Sequence, residues 1–253
     1  MASNKEERKK NTGFKVAFFV LILIVIGTIT GCLFAPIFNI TIVRAENGIN
    51  ISSGEILDLA NIQLGVNIFR INDSKIEDRI ETLSYVRRAK VERIFPNTIF
   101  LDVEERSQYA IVKYLESYVI TDKFGYILEI KKENDLKHLP IIYGIDSGDF
   151  VIGEKLDGIS ITKFENCVYL LEVANNTEFK YNFTEINYDD PTNVKLYIEE
   201  RDIDIVYGTV EIEGIEEKLR HLSSILEKLD GKKGKIDMSS KDYLAKTVFT
   251  EKK

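Results

Sequence analysis

Residues 85–106 read YVRRAKVERIFPNTIFLDVEER, and this stretch decides the fold of the first folded unit. Residues 86–94 and 99–105 alternate apolar and polar side chains, as β-strands with one buried face do. Between them, Phe95-Pro96-Asn97-Thr98 has turn chemistry, because proline fixes φ and the Asn and Thr side chains bond locally to the backbone. The sequence therefore predicts a β-hairpin with Pro96 in its turn.

The residues before the hairpin predict a strand and two helices. Residues 38–43 alternate like a strand, residues 66–69 form a short apolar stretch, and Ser52-x-x-Glu55 is a capping box that opens a helix. Asp73 or Ser74 is predicted to cap a second helix, whose buried face is formed by Ile76, Ile80 and Leu83. The order is strand, helix, short strand (residues 66–69), helix, hairpin, and it predicts a small α+β domain over residues 36–106, with both helices on one face of its sheet.

Residues 107–253 are rich in predicted strands. Two apolar helical patterns, at residues 161–174 and 214–229, interrupt them. The predicted strands cover residues 109–114, 118–121, 126–130, 139–143, 179–188, 194–198, 203–206, 235–238 and 244–250. These patterns predict a larger, mostly antiparallel β domain with flanking helices. Its last strand has no successor, so it is predicted to form an exposed sheet edge.

An apolar segment precedes both units. Residues 16–34 read VAFFVLILIVIGTITGCLF, nineteen residues without a charge, which is close to the roughly 20 that span a bilayer as a helix. Five basic residues lie before this run, and the positive-inside rule then places the N-terminus in the cytoplasm. They are Lys5, Arg8, Lys9, Lys10 and Lys15. The sequence predicts a single-pass type II protein of the cell membrane, with a cytoplasmic tail (1–15), a transmembrane helix (16–35) and an extracytoplasmic remainder.

Two alternatives to a retained helix are considered. A cleaved signal peptide usually has an apolar region of about 7–15 residues, shorter than this one. Residues 29–32, Ile-Thr-Gly-Cys, resemble a bacterial lipoprotein processing site, but Leu33, Phe34 and Ala35 continue the apolar run. Retention of the helix is the prediction, and processing at Cys32 stays open.

Charge and cysteine content exclude several classes of protein. The net charge is −7 at pH 7, although the first fifteen residues carry five basic and two acidic side chains, so the rest is strongly acidic. An acidic surface argues against a nucleic-acid partner, because phosphate binding needs a basic face. Cys32 and Cys167 lie far apart in sequence and define no disulfide framework.

No arrangement of residues in the sequence predicts catalysis. Neither His138 nor His221 has a partner at metal-ligand spacing, and His221 is predicted to be exposed because it lies off the apolar stripe of its helix. The pairs Asp189-Asp190 and Glu199-Glu200 are adjacent, so on a strand they point to opposite faces. Cys167 is predicted to be a small core residue. We therefore expect no enzyme activity, no metal or cofactor and no small-molecule substrate.

The hairpin and its surroundings resemble a known family. Gly65-Val66-Asn67-Ile68-Phe69, the stretch from Tyr85 to Ile99 and Val103-x-Glu105-Arg106 are similar to the FtsQ/DivIB family of bacterial cell division proteins. The resemblance implies a bitopic protein with a polypeptide-transport-associated (POTRA) domain followed by a β domain. Phe124-Gly125, residues 214–229 and Ile236-Asp237-Met238 resemble the family's β domain. One departure is a longer turn at residues 45–50, where the family usually has a Gly-Asn pair.

The family resemblance also implies a function, a set of partners and a location. The chain is expected to be a scaffold for septation, to bind FtsL-like and FtsB/DivIC-like proteins at the septum, and to act indirectly on the septal wall synthase complex. The implied partner-binding residues lie at the C-terminal edge strand: Ser239, Ser240, Tyr243, Lys246, Val248 and Phe249. A simpler reading is that Val248 and Phe249 only complete the core.

Two alternative functions are considered, and the resemblance implies the first of them. POTRA domains also occur as chaperone or translocation modules, usually in tandem, whereas this chain has one. A wall-active enzyme is disfavoured by the missing catalytic site.

Arg93 and Arg106 have three possible interpretations: they form ion pairs, anchor an interface or are solvated charges of the hairpin.

Overall fold

The computed structural model describes residues 3–46, 48–132, 138–146 and 149–252. The side chains of residues 3–14 and 32–33 lie outside this description, and with them Cys32 and four of the basic residues of the tail. The chain forms two compact units. The first contains Met1–Glu81 and Val86–Glu105, and the second contains Thr82–Tyr85 and Arg106–Lys253. The first unit begins with helix α1 (Ser3–Leu33). Over the described part of the chain, none of the helices reaches the length and apolarity that a bilayer crossing requires.

The first unit contains a three-stranded sheet and two short helices. The central strand of this sheet, Thr98–Glu105, is the last of the three in sequence. It pairs in parallel with Ile42–Ala45 and antiparallel with Val86–Ile94. The elements are β1 (Ile42–Ala45), α2 (Ser53–Ala60), α3 (Asp73–Ile80), β2 (Val86–Ile94) and β3 (Thr98–Glu105). The strands β2 and β3 form the predicted hairpin, and the Phe95–Pro96 peptide bond in its turn is cis. The small α+β unit predicted from the sequence is confirmed.

The two helices of this unit begin at side-chain caps. The Oγ of Ser52 accepts the backbone N–H of Glu55 at 3.2 Å, as the capping box predicts. The second cap is Asn72, whose Oδ1 accepts the N–H of Lys75 at 3.1 Å, so the prediction of Asp73 or Ser74 was wrong. Asp73 is instead the first residue of α3, and Leu83 lies beyond the end of that helix.

The strand predicted at residues 38–43 begins later than expected. Pro36–Phe38 forms a 3₁₀ turn, and the strand β1 starts only at Ile42. Between them, the backbone of Ile40 bonds to Gly65 and Val66, which draws this segment away from the ladder with β3. The predicted strand at residues 66–69 reduces to a single bridge between Asn39 and Asn67.

Arg93 joins the hairpin to the first residue of α3 and to the segment before that helix. Its two terminal nitrogens lie 2.5 and 2.7 Å from the carboxylate of Asp73, and its Nε donates to the carbonyl of Ile68 at 3.0 Å. Paired bonds of this kind fix both partners in one geometry. Of the three readings of Arg93, the structure supports the pair former.

The second unit is built around a nine-stranded sheet. Its strands are β4 (Ala110–Tyr114), β5 (Ser117–Thr121), β6 (Ile127–Lys131), β7 (Ile141–Tyr143), β8 (Glu185–Asn187), β9 (Val194–Ile198), β10 (Ile203–Gly208), β11 (Gly234–Asp237) and β12 (Val248–Glu251). The strand order is β12-β11-β10-β9-β8-β7-β4-β5-β6. Most neighbours are antiparallel, and the pairs β10–β11, β4–β7 and β7–β8 are parallel. This confirms a large, mostly antiparallel sheet.

In the described part of this unit, three α-helices accompany the sheet: α4 (Gly158–Asn176), α5 (Ile215–Lys228) and α6 (Tyr243–Lys246). The apolar faces of α4 and α5 contribute to one continuous core with the sheet. Cys167 of α4 is 1% exposed, and burial raises the pKa of its thiol. The prediction that Cys167 is a core residue is therefore confirmed.

Two predicted strands are shorter than expected, and neither acidic pair lies on a strand, since Asp189 and Asp190 form a bend after β8. The stretch 179–188 forms a strand only at β8; before it, Phe179 stacks on Phe183 and meets Tyr181 edge-on, and all three rings pack against the core. The stretch 244–250 begins within α6 and becomes extended at β12. Glu199 and Glu200 lie in a 3₁₀ turn.

Arg106 forms an ion pair in the second unit that is almost buried. Its Nη1 lies 2.8 Å from Oδ2 of Asp122, with side-chain exposures of 12% and 4%. The other oxygen of Asp122 accepts the backbone N–H groups of Phe124 and Tyr126, each at 2.9 Å. The guanidinium also stacks 3.6 Å from the ring centroid of Tyr126. Arg106 is a pair former as well, and it orders the turn that follows β5.

Candidate partner-binding edge

The C-terminal strand β12 lies at one edge of the nine-stranded sheet. It pairs antiparallel with β11, so that Val248 faces Asp237 and Phe249 faces Ile236. No other strand in the described part of the chain pairs with its outer side. An unpaired strand of this kind presents a row of free backbone groups.

The register shows which backbone groups of β12 point outward. The N–H of Lys252 donates to the carbonyl of Lys233 at 3.0 Å, which makes these two residues a hydrogen-bonded pair. Bonded and non-bonded pairs alternate along an antiparallel ladder. Val248 and Thr250 therefore bond to β11, while the N–H and C=O groups of Phe249 and Glu251 point to the free side of the sheet.

The side chains of β12 divide between the two faces of the sheet. Phe249 is half-buried and packs against the core. Val248, on the opposite face, is 58% exposed. The reading that both residues complete the core thus holds for Phe249 and fails for Val248.

The two predicted serines shape the loop that leads from β11 to α6. Asp237 Oδ1 accepts the backbone N–H of Ser239 at 3.0 Å and its hydroxyl at 2.7 Å, and these bonds lower the pKa of Asp237. Ser240 Oγ accepts the N–H of Asp242 at 3.3 Å. The loop passes close to Gly208, where an added Cβ would lie 2.9 Å from the Cα of Ser239. Both serine hydroxyls are therefore engaged within the loop.

Helix α6 packs against helix α5 through aromatic contacts. The rings of Tyr243 and His221 are 5.9 Å apart, and Thr247 Oγ1 lies 3.4 Å from Nε2 of His221. His221 is consequently half-buried, and its predicted exposure was wrong because the sequence did not reveal α6. Lys246 on the same helix is exposed, as is the neighbouring Leu244.

Lys218 and Tyr207 complete this corner of the unit, and no pattern in the sequence predicts a role for either residue. The Nζ of Lys218 donates to the carbonyl of Tyr207 at 2.5 Å and lies 4.1 Å from its ring centroid. The same Nζ lies 5.3 Å from the ring centroid of Tyr243. Burial lowers the pKa of Lys218. The lysine thus connects β10, α5 and α6, and it supports α6 through Tyr243.

The six predicted partner-binding residues lie together in one corner formed by the 239–242 loop, α6 and β12. Two of them are solvated on the surface (Lys246 and Val248), and two contribute to packing (Tyr243 and Phe249). Among the described residues, no three His, Cys, Asp or Glu side chains lie close enough together to hold a metal ion. The geometry of this corner offers a strand edge and an apolar side chain for a protein partner.

Comparison with known proteins identifies relatives along most of the chain. The family described as "POTRA domain, FtsQ-type" matches residues 38–106. The cell division protein DivIB of Clostridium botulinum (strain Hall) is 29% identical over 97% of this chain and 93% of its own length. DivIB of Clostridium tetani is 28% identical over 87% of this chain and 83% of its own length. The cell division protein FtsQ of Syntrophotalea carbinolica is 26% identical over 79% of this chain and 69% of its own length.

A solved structure, the major extracytoplasmic domain of DivIB from Geobacillus stearothermophilus, is 19% identical with a TM-score of 0.29 and covers 50% of this chain and 96% of that one. The FtsQ-type domain match and the long alignments together confirm the resemblance drawn from the hairpin. This chain is similar to the DivIB and FtsQ cell division proteins along most of its length, and its residues 38–106 match the FtsQ-type POTRA domain.

Proposed function

We propose that this chain is a non-enzymatic scaffold of the bacterial cell division machinery. The support is the length of the alignments with proteins named for cell division, which reach 97% of this chain and 93% of the relative. Such coverage includes both folded units and the N-terminal segment. The proposed role is to hold other division proteins together so that the septum forms.

In the proposed topology the chain crosses the cell membrane once, at residues 16–35. The support is the charge-free run from Val16 to Phe34 together with the basic residues that precede it. The tail of residues 1–15 then lies in the cytoplasm. Both folded units lie outside the membrane, where the septal wall is made.

The proposed partners are FtsL-like and FtsB/DivIC-like division proteins, and through them the septal wall synthase complex. The observation that carries this proposal is the free edge of β12, with the outward backbone groups of Phe249 and Glu251 and the exposed side chain of Val248. An extended segment of a partner would add a tenth strand there, with main-chain hydrogen bonds giving affinity and Val248 giving an apolar contact. The POTRA domain would assist recruitment near the membrane.

Localisation in dividing cells tests the proposed function. We expect a fluorescent fusion of the full chain to form a band at the septum, because the scaffold is retained by its partners there. A single-pass membrane protein unrelated to division, carrying the same fluorescent domain, provides the control for simple membrane distribution. A uniform membrane signal from the full chain, equal to that of the control, would contradict a role in division.

A further inference from the structure

Three aromatic side chains form an exposed cluster at one end of the first unit. The ring centroids of Phe38 and Phe69 are 5.4 Å apart, those of Phe69 and Phe95 are 5.4 Å apart, and those of Phe38 and Phe95 are 6.5 Å apart. Phe69 is 39% exposed and Phe95 is 56% exposed. Contiguous apolar surface of this kind usually marks a contact with a partner or a membrane.

The cluster is held in place by hydrogen bonds between three separate segments. The N–H of Ile68 donates to the carbonyl of Phe38 at 2.8 Å, and the N–H of Phe69 donates to Oδ1 of Asn67 at 3.0 Å. Arg93 donates to the carbonyl of Ile68 at 3.0 Å. The rings are therefore presented by an ordered backbone, although two of them remain exposed to solvent.

The position of the cluster in the chain indicates what covers it. Helix α1 ends at Leu33, and the five residues from there to Phe38 span at most about 17 Å even when fully extended. The connecting segment is itself apolar and uncovered, with Phe34 59% and Ile37 63% exposed. No charged residue occurs in the sequence from residue 16 to residue 43. With residues 16–35 in the bilayer, the rings lie next to the lipid surface.

We propose that Phe38, Phe69 and Phe95 insert into the outer interfacial layer of the membrane and hold the POTRA domain against it. Phenylalanine is among the apolar side chains that membrane-surface proteins bury at the boundary between headgroups and acyl chains. The interfacial region is only about 5–8 Å thick on each side of the hydrocarbon core, so a fixed cluster determines how the domain is tilted. The inference rests on the membrane crossing included in the proposed function.

The absence of tryptophan from the sequence gives a direct test, because each introduced tryptophan is then the only one in the chain. Phe95→Trp and Phe69→Trp are the two probes of the cluster. Phe19→Trp reports on the proposed transmembrane helix, and Ile49→Trp is the matched control in the same folded unit. Each full-length variant is reconstituted in phosphatidylethanolamine and phosphatidylglycerol vesicles whose acyl chains are brominated near the headgroup.

Ile49 is a suitable control because it lies at the far end of the first unit. It is 96% exposed, and its N–H donates to the Glu105 carboxylate at 3.2 Å. Glu105 ends β3, whereas Thr98, next to the cluster, begins it. At about 3.3 Å per residue, these two residues are roughly 23 Å apart, well beyond the interfacial layer.

We expect the brominated lipid to quench the fluorescence of Phe95→Trp and Phe69→Trp at least twofold more than that of Ile49→Trp. Quenching confined to Phe19→Trp would overturn the inference and leave the membrane crossing intact; the cluster would then face water or a protein. If Phe19→Trp itself were not quenched, the crossing would fail and the inference with it. Because the cluster is probed at two positions, a local disturbance caused by one substitution does not affect the result from the other.

Discussion

Replacing Asp122 with alanine is expected to lower the free energy of unfolding of the second unit by about 3–5 kcal/mol, because one partner of a buried ion pair is removed. Arg106 would keep its charge at a site where its side chain is only 12% exposed. The N–H groups of Phe124 and Tyr126 would also lose their shared acceptor. Asp122→Asn retains a side-chain oxygen for these two groups, so we expect it to cost less than Asp122→Ala.

Hydrogen exchange of the β9 and β10 peptides in the full chain measures this loss, because core strands exchange through unfolding of the whole unit. Glu227→Ala is the matched control in the same unit. It breaks an ion pair with Lys180 whose side chains are 72% and 56% exposed, and such pairs are worth about 0–1 kcal/mol. An Asp122→Ala variant as stable as Glu227→Ala would show that the Arg106 pair is not structurally important.

Truncation before Leu244 is expected to abolish capture of FtsL-like and FtsB/DivIC-like partners from membranes. The truncation removes β12 and with it the outward backbone groups of Phe249 and Glu251 and the apolar contact of Val248. At about 1 kcal/mol for each of four main-chain hydrogen bonds, the loss corresponds to roughly two to three orders of magnitude in affinity. Quantitative pull-down with the full chain and the truncated chain measures this effect.

A chain that ends at Glu251 is the control for the truncation, since it retains all of β12 and is expected to bind like the full chain. The longer truncation also removes Phe249, which packs against the core. Hydrogen exchange of β10 therefore has to show that the second unit remains folded. Wild-type capture by the chain truncated before Leu244 would exclude the C-terminal edge as the binding site.

The hairpin and the first helix cap were predictable because their information is local. Alternation along residues 86–105 specifies two strands with one buried face, and Ser52 and Glu55 stand at the spacing of a capping box. The cap of α3 was misassigned because three adjacent residues, Asn72, Asp73 and Ser74, are all good cap formers. Only the pairing of Asp73 with Arg93, which lies twenty residues away, separates them.

The sheet of the second unit was predictable in its strands but not in their order. Strand pairs such as β4–β7 join segments that are distant in sequence, and alternation does not identify the partner of a strand. Helix α6 was missed because its four residues continue an apolar pattern that also fits a strand. Its start depends on the carbonyl of Asp242, which accepts the N–H groups of Ala245 and Lys246.

The location of the candidate site could be predicted from the sequence, but the contacts within it could not. A strand at the end of the chain is a natural sheet edge, and β12 lies at one. The engagement of Ser239 and Ser240 within their own loop depends on Asp237 and Asp242, and the support from Lys218 depends on the packing of α5. These contacts join side chains through the fold, so no spacing in the sequence reports them.

Substitution of Glu251 by proline tests whether a partner adds a strand at β12. The N–H of Glu251 points away from β11, so proline there removes a donor to an added strand and leaves the existing ladder intact. Glu251→Ala is the matched control, because both variants lose the exposed ion pair with Lys232. The measurement is the affinity of the full chain for an FtsB/DivIC-like partner.

We expect Glu251→Pro to bind the partner at least about tenfold more weakly than the unaltered chain, since one main-chain hydrogen bond contributes about 0.5–1.5 kcal/mol and the ring also obstructs the approaching strand. Glu251→Ala is expected to bind like the unaltered chain. Unchanged binding by Glu251→Pro, or an equal loss in both variants, would contradict strand addition at this edge.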